Sequence, residues 1–191
     1  MPGVQRVSLK ILTDAPASLN LDPFLAIFGR WRQDQNHPAR WIDLADYAHM
    51  PRGPGIVLIG QLANFGFDLG TACPGIVYAT KGGLTGSTVD RLRGVFRDAF
   101  AMAARVAAEP EFPSGVNLRT GSLELAFNDR LETPNNDSTD GELRPWVSGV
   151  LDELYGAGAY RLHPEPDPGR RYGFSIDAEA GVTPLVLSAR L

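Results

Sequence analysis

Short alternating runs of apolar and polar residues dominate the first half of the chain. Residues 7–11 alternate strictly, as expected for a strand with one face in water. Between residues 41 and 80, further apolar runs are separated by turns rich in glycine and proline. These runs occupy 42–44, 56–59, 65–69 and 76–78. The pattern predicts four consecutive antiparallel strands, a meander around which the rest of the chain is organised.

Longer segments show the three- and four-residue spacing of amphipathic helices. The first begins at Asp22 as N-cap, and Pro23 suits the first helical position. The second and longest follows Ser87, which together with Asp90 resembles a capping box. The third is expected from about residue 143 to residue 155. Their apolar faces predict helices that pack on the sheet.

The C-terminal half carries shorter strand signals. A hairpin is predicted from 116–119 and 123–128, with its turn at Thr120 and Gly121. Closing strands are expected at 159–163 and 172–176, and the tail at 184–190 is an optional last edge strand.

The order of these elements predicts an α+β fold. We expect a largely antiparallel sheet, formed by the central four-strand meander and C-terminal hairpins, with about three helices packed on it. Because strands and helices do not alternate regularly along the chain, we do not expect a doubly wound fold. A single domain over residues 1–191 is the simplest organisation, and a separate ββαββ subdomain over 114–191 is the alternative.

Composition and charge narrow the classes of function. The chain has 191 residues, 43% hydrophobic and 21% charged, which is typical of a folded globular protein. Its net charge of -4 argues against a nucleic-acid-binding surface. A single cysteine, Cys73, and three scattered histidines favour neither a disulfide nor a metal site, and we expect no cofactor. No apolar run reaches the roughly 18 residues of a membrane span, so a cytoplasmic protein is expected.

The first candidate site is the glycine-rich loop at residues 81–88. A strand, this loop and the start of a helix would aim backbone N–H groups at one point, where a phosphate or carboxylate can bind. The residues expected to hold the anion are Lys81, Gly82, Gly83, Thr85, Ser87 and Thr88. Because the lysine precedes the glycines, the loop is not a Walker motif. An ordinary loop with a helix cap is the alternative interpretation.

The second candidate site combines His49 with Asp46 and Asp43. A carboxylate can orient an imidazole and raise its basicity, which makes a general base. In a continuous strand, Asp43 and His49 would project from one face and Asp46 from the other. The alternative is a histidine with a purely structural hydrogen bond at the start of a turn.

Two functional hypotheses follow from these signals. The first is a non-catalytic cytosolic module that self-associates, or docks on a protein partner, through an exposed face or edge of the sheet. It rests on the lack of a dense catalytic cluster and on apolar residues near strand ends. The second is a small enzyme or sensor for an anionic metabolite, with the 81–88 loop holding the anion and His49 as acid or base. This second hypothesis requires the 81–88 loop and the segment with His49 to lie close together in the fold. The sequence leaves open whether the chain is an enzyme.

Overall fold

The computed structural model describes residues 4–34, 40–50, 53–70, 73–179 and 181–191. Within these ranges the chain forms eight strands and four helices. The strands are β1 (Val7–Thr13), β2 (Trp41–Asp46), β3 (Ile56–Gly60), β4 (Ala63–Asp68), β5 (Gly75–Thr80), β6 (Leu118–Phe127), β7 (Tyr160–Pro164) and β8 (Gly173–Ala178). The helices are α1 (Asp22–Gln33), α2 (Thr88–Ala107), α3 (Asp137–Tyr155) and α4 (Pro184–Ala189).

All eight described strands join one open antiparallel sheet. Their order is β2-β3-β4-β5-β1-β6-β8-β7, so the first four neighbours are consecutive in sequence. The predicted α+β class and the predicted central meander are therefore confirmed. The strands β6, β7 and β8 continue the same sheet beyond β1.

The described helices pack on one face of this sheet and form a second layer. On α1, Phe24 stacks on Phe67 of β4 with ring centroids 4.2 Å apart, and Phe28 contacts Phe65 at 5.5 Å. The long helix α2 crosses β5 and β1, while α3 and α4 pack against α2. Strand residues such as Leu9 alternate inward and are fully buried between the layers. Apolar burial in this interlayer core is the main source of stability.

The predicted hairpin between residues 116 and 128 is wrong. The structure has a single continuous strand, β6, which pairs with both β1 and β8. Gly121 lies inside this strand, at a position where the backbone of Ala178 comes very close. A Cβ atom at residue 121 would lie 2.4 Å from the carbonyl oxygen of Ala178, so the position requires glycine. This glycine permits a close approach of two backbones rather than a turn.

The predicted N-cap of α1 is wrong. The cap is Leu21, which makes no side-chain hydrogen bond, and Asp22 is the first residue of the helix.

Two further boundaries differ from the prediction. Helix α3 begins at Asp137, earlier than the expected start at residue 143, and Asn136 caps it by accepting a hydrogen bond from the N–H of Thr139 at 3.0 Å. The tail 184–190 forms helix α4 rather than an edge strand. Pro184 suits the first helical position, and Leu187 on this helix is fully buried.

Candidate functional site

The face of the sheet opposite the helices is covered by none of the described helices, and we call it the open face. Its side chains are those that alternate with the interlayer core along each strand. On the β2 to β5 side they include Ala45, Val57, Ile59, Asn64, Asp68, Val77 and Ala79. On the β1, β6 and β8 side they include Ser8, Lys10, Glu124, Ala126 and Ser175. The open face is therefore apolar at one end and polar at the other.

A trough of about 510 Å³ lies in the apolar end of the open face. Its floor includes Val57, Gly66 and Val77, which are directly paired across β3, β4 and β5. Tyr47 and Pro54, from the connection between β2 and β3, form part of the rim. The strand pairing thus builds one concave apolar site from neighbouring strands.

A buried ion pair lies beside this trough. The ammonium of Lys10 is 2.8 Å from Oδ2 of Asp68, and Lys10 is only 5% exposed. Its stem passes over Gly75, where a Cβ atom would come within 2.9 Å of Cε of Lys10. The other carboxylate oxygen of Asp68 accepts a hydrogen bond from the N–H of Gly70 at 2.6 Å. The two charges neutralise each other, so this end of the open face is electrically balanced.

Asn64 also lines the trough. Its side-chain oxygen is buried and has no hydrogen-bond partner among the described residues. A buried acceptor without a donor is costly, and such groups are rare in folded proteins. Because this oxygen is itself buried, it faces protein atoms rather than the open space of the trough.

The glycine-rich loop at 81–88 is held by contacts within the chain. Lys81 donates from Nζ to the carbonyl oxygen of Gly60 at 2.7 Å. The carboxamide of Gln5 bonds both the N–H and the carbonyl of Leu84, at 2.9 and 3.0 Å. These bonds use the lysine that was expected to face an anion, and they fix the middle of the loop.

The N-terminus of α2 already has its own anion. Ser87 is the N-cap, and the carboxylate of Asp90 accepts the N–H of Ser87 at 3.0 Å, as the predicted capping box requires. The hydrogen bond from the Ser87 side chain is the main reason why the pKa of Asp90 lies below its ordinary value. Thr88 is the first residue of the helix. Gly82 and Gly83 have positive φ angles, and Thr85 is exposed.

His49 is separated from the two aspartates by the end of β2. The strand stops at Asp46, and His49 lies in an exposed turn. Asp46 accepts a hydrogen bond from the N–H of Ala48 at 2.9 Å, and Asp43 lies 3.8 Å from Nη1 of Arg32. Within the described part of the chain, no hydrogen bond or ion pair joins His49 to either carboxylate.

The two candidate sites lie at opposite ends of β3. Lys81 bonds Gly60, the last residue of β3, whereas the turn with His49 lies beside the beginning of that strand, where the N–H of Tyr47 bonds the carbonyl of Gly55. At about 3.3 Å per residue, the two ends are roughly 15 Å apart. The structure does not bring His49 and the 81–88 loop together.

Sequence reasoning missed the trough and its polar groups. Val57 and Val77 were recognised as strand residues, but the alternation does not say which face the helices cover. Lys10 was assigned to a wet face, and its partner Asp68 is distant in sequence. Gly66 lies between two β-branched residues, Val57 and Val77, across the neighbouring strands rather than along the sequence. This arrangement, which forms the floor of the trough, can be recognised only when the strand register is known.

No group of three or more His, Cys, Asp or Glu side chains among the described residues is arranged to hold a metal ion. Among the helices of the described ranges, none combines the length and apolar character needed to cross a bilayer.

No protein-family model, curated protein or solved structure matches this chain.

Proposed function

We propose that this protein is a non-catalytic cytoplasmic module that self-associates through the open face of its sheet. The observation that carries the proposal is an eight-stranded sheet whose described helices all pack on one side. The uncovered side carries half-buried Val57, Ile59, Val77 and Ala79, which a second protein surface would shield from water. A single cysteine suits a reducing compartment.

The face is a better docking surface than the edges. At the β2 edge, the register with β3 shifts after Trp41, and Asp43 accepts the N–H of Leu44 at 2.8 Å. The β7 edge ends in Pro164, which has no N–H to offer, and carries the exposed charge of Arg161. Irregular register, charge and proline are common devices against edge-to-edge pairing.

Area and charge favour a second copy of this chain as the occupant. Eight strands spaced about 4.8 Å apart and roughly 18 Å long give an open face of about 700 Å². Contact over the two complete faces would bury about 1,400 Å² in total, within the usual range for a specific interface, and the two apolar ends supply about half of it. The apolar end holds no unbalanced charge, because Lys10 and Asp68 are paired. Two copies related by a two-fold axis can therefore bring their apolar ends together without repulsion.

The rival hypothesis of an enzyme or sensor for an anionic metabolite has less support. Lys81, Ser87 and the loop backbone are used in bonds within the chain. His49 lies at the far end of β3 from that loop. An anion would have to displace the Asp90 carboxylate from the α2 N-terminus, and no group in this arrangement favours that exchange.

The mass of the protein in solution tests the proposal. We expect size-exclusion chromatography with light scattering to give about twice the chain mass of 20.6 kDa at micromolar concentration. Ile59→Arg places a charge in the apolar end of the face, which should produce a folded monomer because the charge cannot be buried cheaply. Leu131→Arg is the matched control, since Leu131 is 94% exposed in a loop and lies off the sheet.

Two outcomes would contradict self-association through this face. One is a monomeric mass for the unaltered chain at concentrations up to about 100 μM. The other is a dimer that Ile59→Arg leaves intact, which would move the contact to another surface. Circular dichroism of both variants checks that the charge has not simply unfolded the chain.

A further inference from the structure

A second cavity lies at the end of the sheet, between the connection from β1 to α1 and the end of β2. Its volume is about 290 Å³. Asp46 and Ile56, which are directly paired across β2 and β3, both line it. Because Ile56 belongs to the interlayer core, this cavity lies on the helix side of the sheet and is separate from the open face.

Part of the lining is apolar and only partly covered by the protein. Leu19 in the connection, Leu25 on α1 and Leu69 after β4 line the cavity, and each of them is half-buried. These leucines pack against the interlayer core, but they are not enclosed by it. An aliphatic chain that lies along them would remove apolar surface from water and gain free energy from its burial.

Two carboxylates give the cavity its charge. Asp22, the first residue of α1, and Asp46, the last residue of β2, both line it and are exposed. Asp22 accepts a hydrogen bond from the carboxamide of Asn20 at 3.2 Å, and Asp46 accepts the N–H of Ala48 at 2.9 Å. Within the described part of the chain, neither carboxylate has a cationic partner, and the lining holds no Lys, Arg or His. Both carboxylates can accept further hydrogen bonds.

This lining favours a ligand with a cationic head on an aliphatic chain. A guanidinium group carries five N–H donors in one plane, so it can bond two carboxylates at once. An anion would be repelled by both aspartates, and a neutral ligand would leave them without a counter-charge. The cavity lies at the lower end of the range of roughly 300 to 1,000 Å³ that is usual for ligand pockets, which suits a group about the size of one long side chain.

From these observations we propose that the cavity binds an alkylguanidinium group, with its chain along the leucines and its head between Asp22 and Asp46. A free small molecule or an arginine side chain of another protein can supply this group. The inference goes beyond self-association and does not depend on it, because none of the residues that line this cavity belongs to the open face. The bound class has the opposite charge to the anionic metabolite considered above.

The two carboxylates should contribute unequally to binding. Asp22 lies in the first turn of α1, where its charge also offsets the positive end of the helix dipole. Asp46 lies at the end of a strand and has no such second role. A cation beside Asp22 is therefore partly repelled by the helix terminus, and we expect Asp46 to hold the guanidinium more strongly.

A titration with n-butylguanidinium, followed by the backbone amide signals in two-dimensional NMR, tests the site. We expect saturable shifts at residues 17–22 and 46–48, with a dissociation constant on the order of millimolar because exposed ion pairs are weak. n-Butylurea has nearly the same shape without the charge and should bind at least about fivefold more weakly. The bare guanidinium ion should also bind at least about fivefold more weakly, since it leaves the leucines uncovered.

Three variants that remove one charge each identify the carboxylates. Asp46→Asn should weaken n-butylguanidinium about fivefold and Asp22→Asn about two- to threefold, as expected for single exposed ion pairs. Asp43→Asn is the matched control, because Asp43 lies on the same strand but does not line the cavity, and its affinity should equal that of the original chain. Circular dichroism checks that all three variants are folded. Equal affinities of Asp46→Asn and Asp43→Asn, or of n-butylguanidinium and n-butylurea, would overturn the site.

The blocked tripeptide acetyl-Gly-Arg-Gly-amide distinguishes the two sources of the group. Binding at least as tight as that of n-butylguanidinium assigns an arginine side chain of a partner, and weaker binding assigns a free small molecule. Sedimentation velocity on the same samples reports the dimer independently. A monomer that binds n-butylguanidinium would contradict only the proposed function, and a dimer that does not bind it would contradict only this inference.

Discussion

At the residue scale, the carboxylate of Asp140 on α3 binds two neighbouring side chains, Arg144 and Tyr172. It accepts hydrogen bonds from Nε and Nη2 of Arg144 at 2.8 and 2.9 Å, and from the hydroxyl of Tyr172 at 3.0 Å. The same guanidinium lies 5.1 Å from the ring centroid of Phe174 on β8. The bonds from Arg144 are the main cause that lowers the pKa of Asp140. This carboxylate therefore connects α3 to the interlayer core.

We expect Asp140→Asn to lower the free energy of unfolding by about 1 kcal/mol at pH 7, after allowance for solvent screening of the ion pair. That corresponds to a fall of about 2–4 °C in melting temperature. Because the folded state lowers the pKa of Asp140, its contribution is complete above about pH 4, the ordinary carboxyl value, and is lost as the pH falls through the lowered pKa. Thermal unfolding at pH 7 and pH 2.5 measures both effects.

Glu142→Gln is the matched control for this substitution. Glu142 is an exposed carboxylate on the same helix, and its replacement should change the melting temperature by less than about 1 °C. A difference between the original chain and Asp140→Asn that is as large at pH 2.5 as at pH 7 would show that the ion pair is not its cause.

At the element scale, a glycine in the sequence has more than one structural meaning. The turn expected between the predicted strands at 56–59 and 65–69 is confirmed, since β3 ends at Gly60 and β4 begins at Ala63. At Gly121 the same residue type sits within a strand, because the end of β8 passes over it. Helix α2 was predictable from periodicity and capping, whereas α1 was predictable from periodicity alone, because its N-cap is Leu21 rather than Asp22. Pro145 and the polar segment before it hid the start of α3. The local sequence pattern therefore predicts strands and helices, but it does not show where another strand comes close to them in the fold.

Two glycine-to-alanine substitutions should therefore have opposite effects on stability. Gly121→Ala should destabilise the chain by about 1–3 kcal/mol, because the new Cβ would meet the Ala178 carbonyl oxygen at 2.4 Å and force β6 and β8 apart. Gly149→Ala lies within α3, where a Cβ meets nothing within 4 Å, and should stabilise by about 0.5–1 kcal/mol. Urea unfolding of the three proteins measures the difference. Similar effects of both substitutions would mean that β6 does not approach β8 so closely.

At the scale of the whole molecule, the connectivity repeats on the two sides of the central pair β1 and β6. Each central strand is followed by a helix, later by a hairpin whose second strand pairs with it, and then by another helix. The helices α1 and α2 in the first half correspond to α3 and α4 in the second, and β2 with β3 is the additional hairpin. Leu9 and Leu125, which pair with each other, lie at the centre of this arrangement.

The repeat in connectivity is not visible in the sequence because the two open-face surfaces differ. In equivalent register, Val77 beside β1 corresponds to Gly173 beside β6, and Ala79 corresponds to Ser175. At these two positions the first half has apolar side chains where the second half has a glycine and a serine. The Lys10–Asp68 pair likewise depends on strands that meet only in the folded sheet. The site could not be predicted because it is a property of strand pairing, whereas the α+β class is a property of local patterns.

If the apolar end of the open face is shared between two copies, the stability of the protein depends on its concentration. Mass action favours the folded dimer as concentration rises, so each tenfold increase should raise the melting temperature by roughly 1–3 °C. Ile59→Arg should show the same melting temperature at every concentration, because it removes the contact. Calorimetry between about 5 and 500 μM measures both proteins. The shift should also persist in 0.5 M salt, since the Lys10–Asp68 pair leaves the apolar end without a net charge to screen. A shift that salt abolishes would assign the contact to charged groups on another surface.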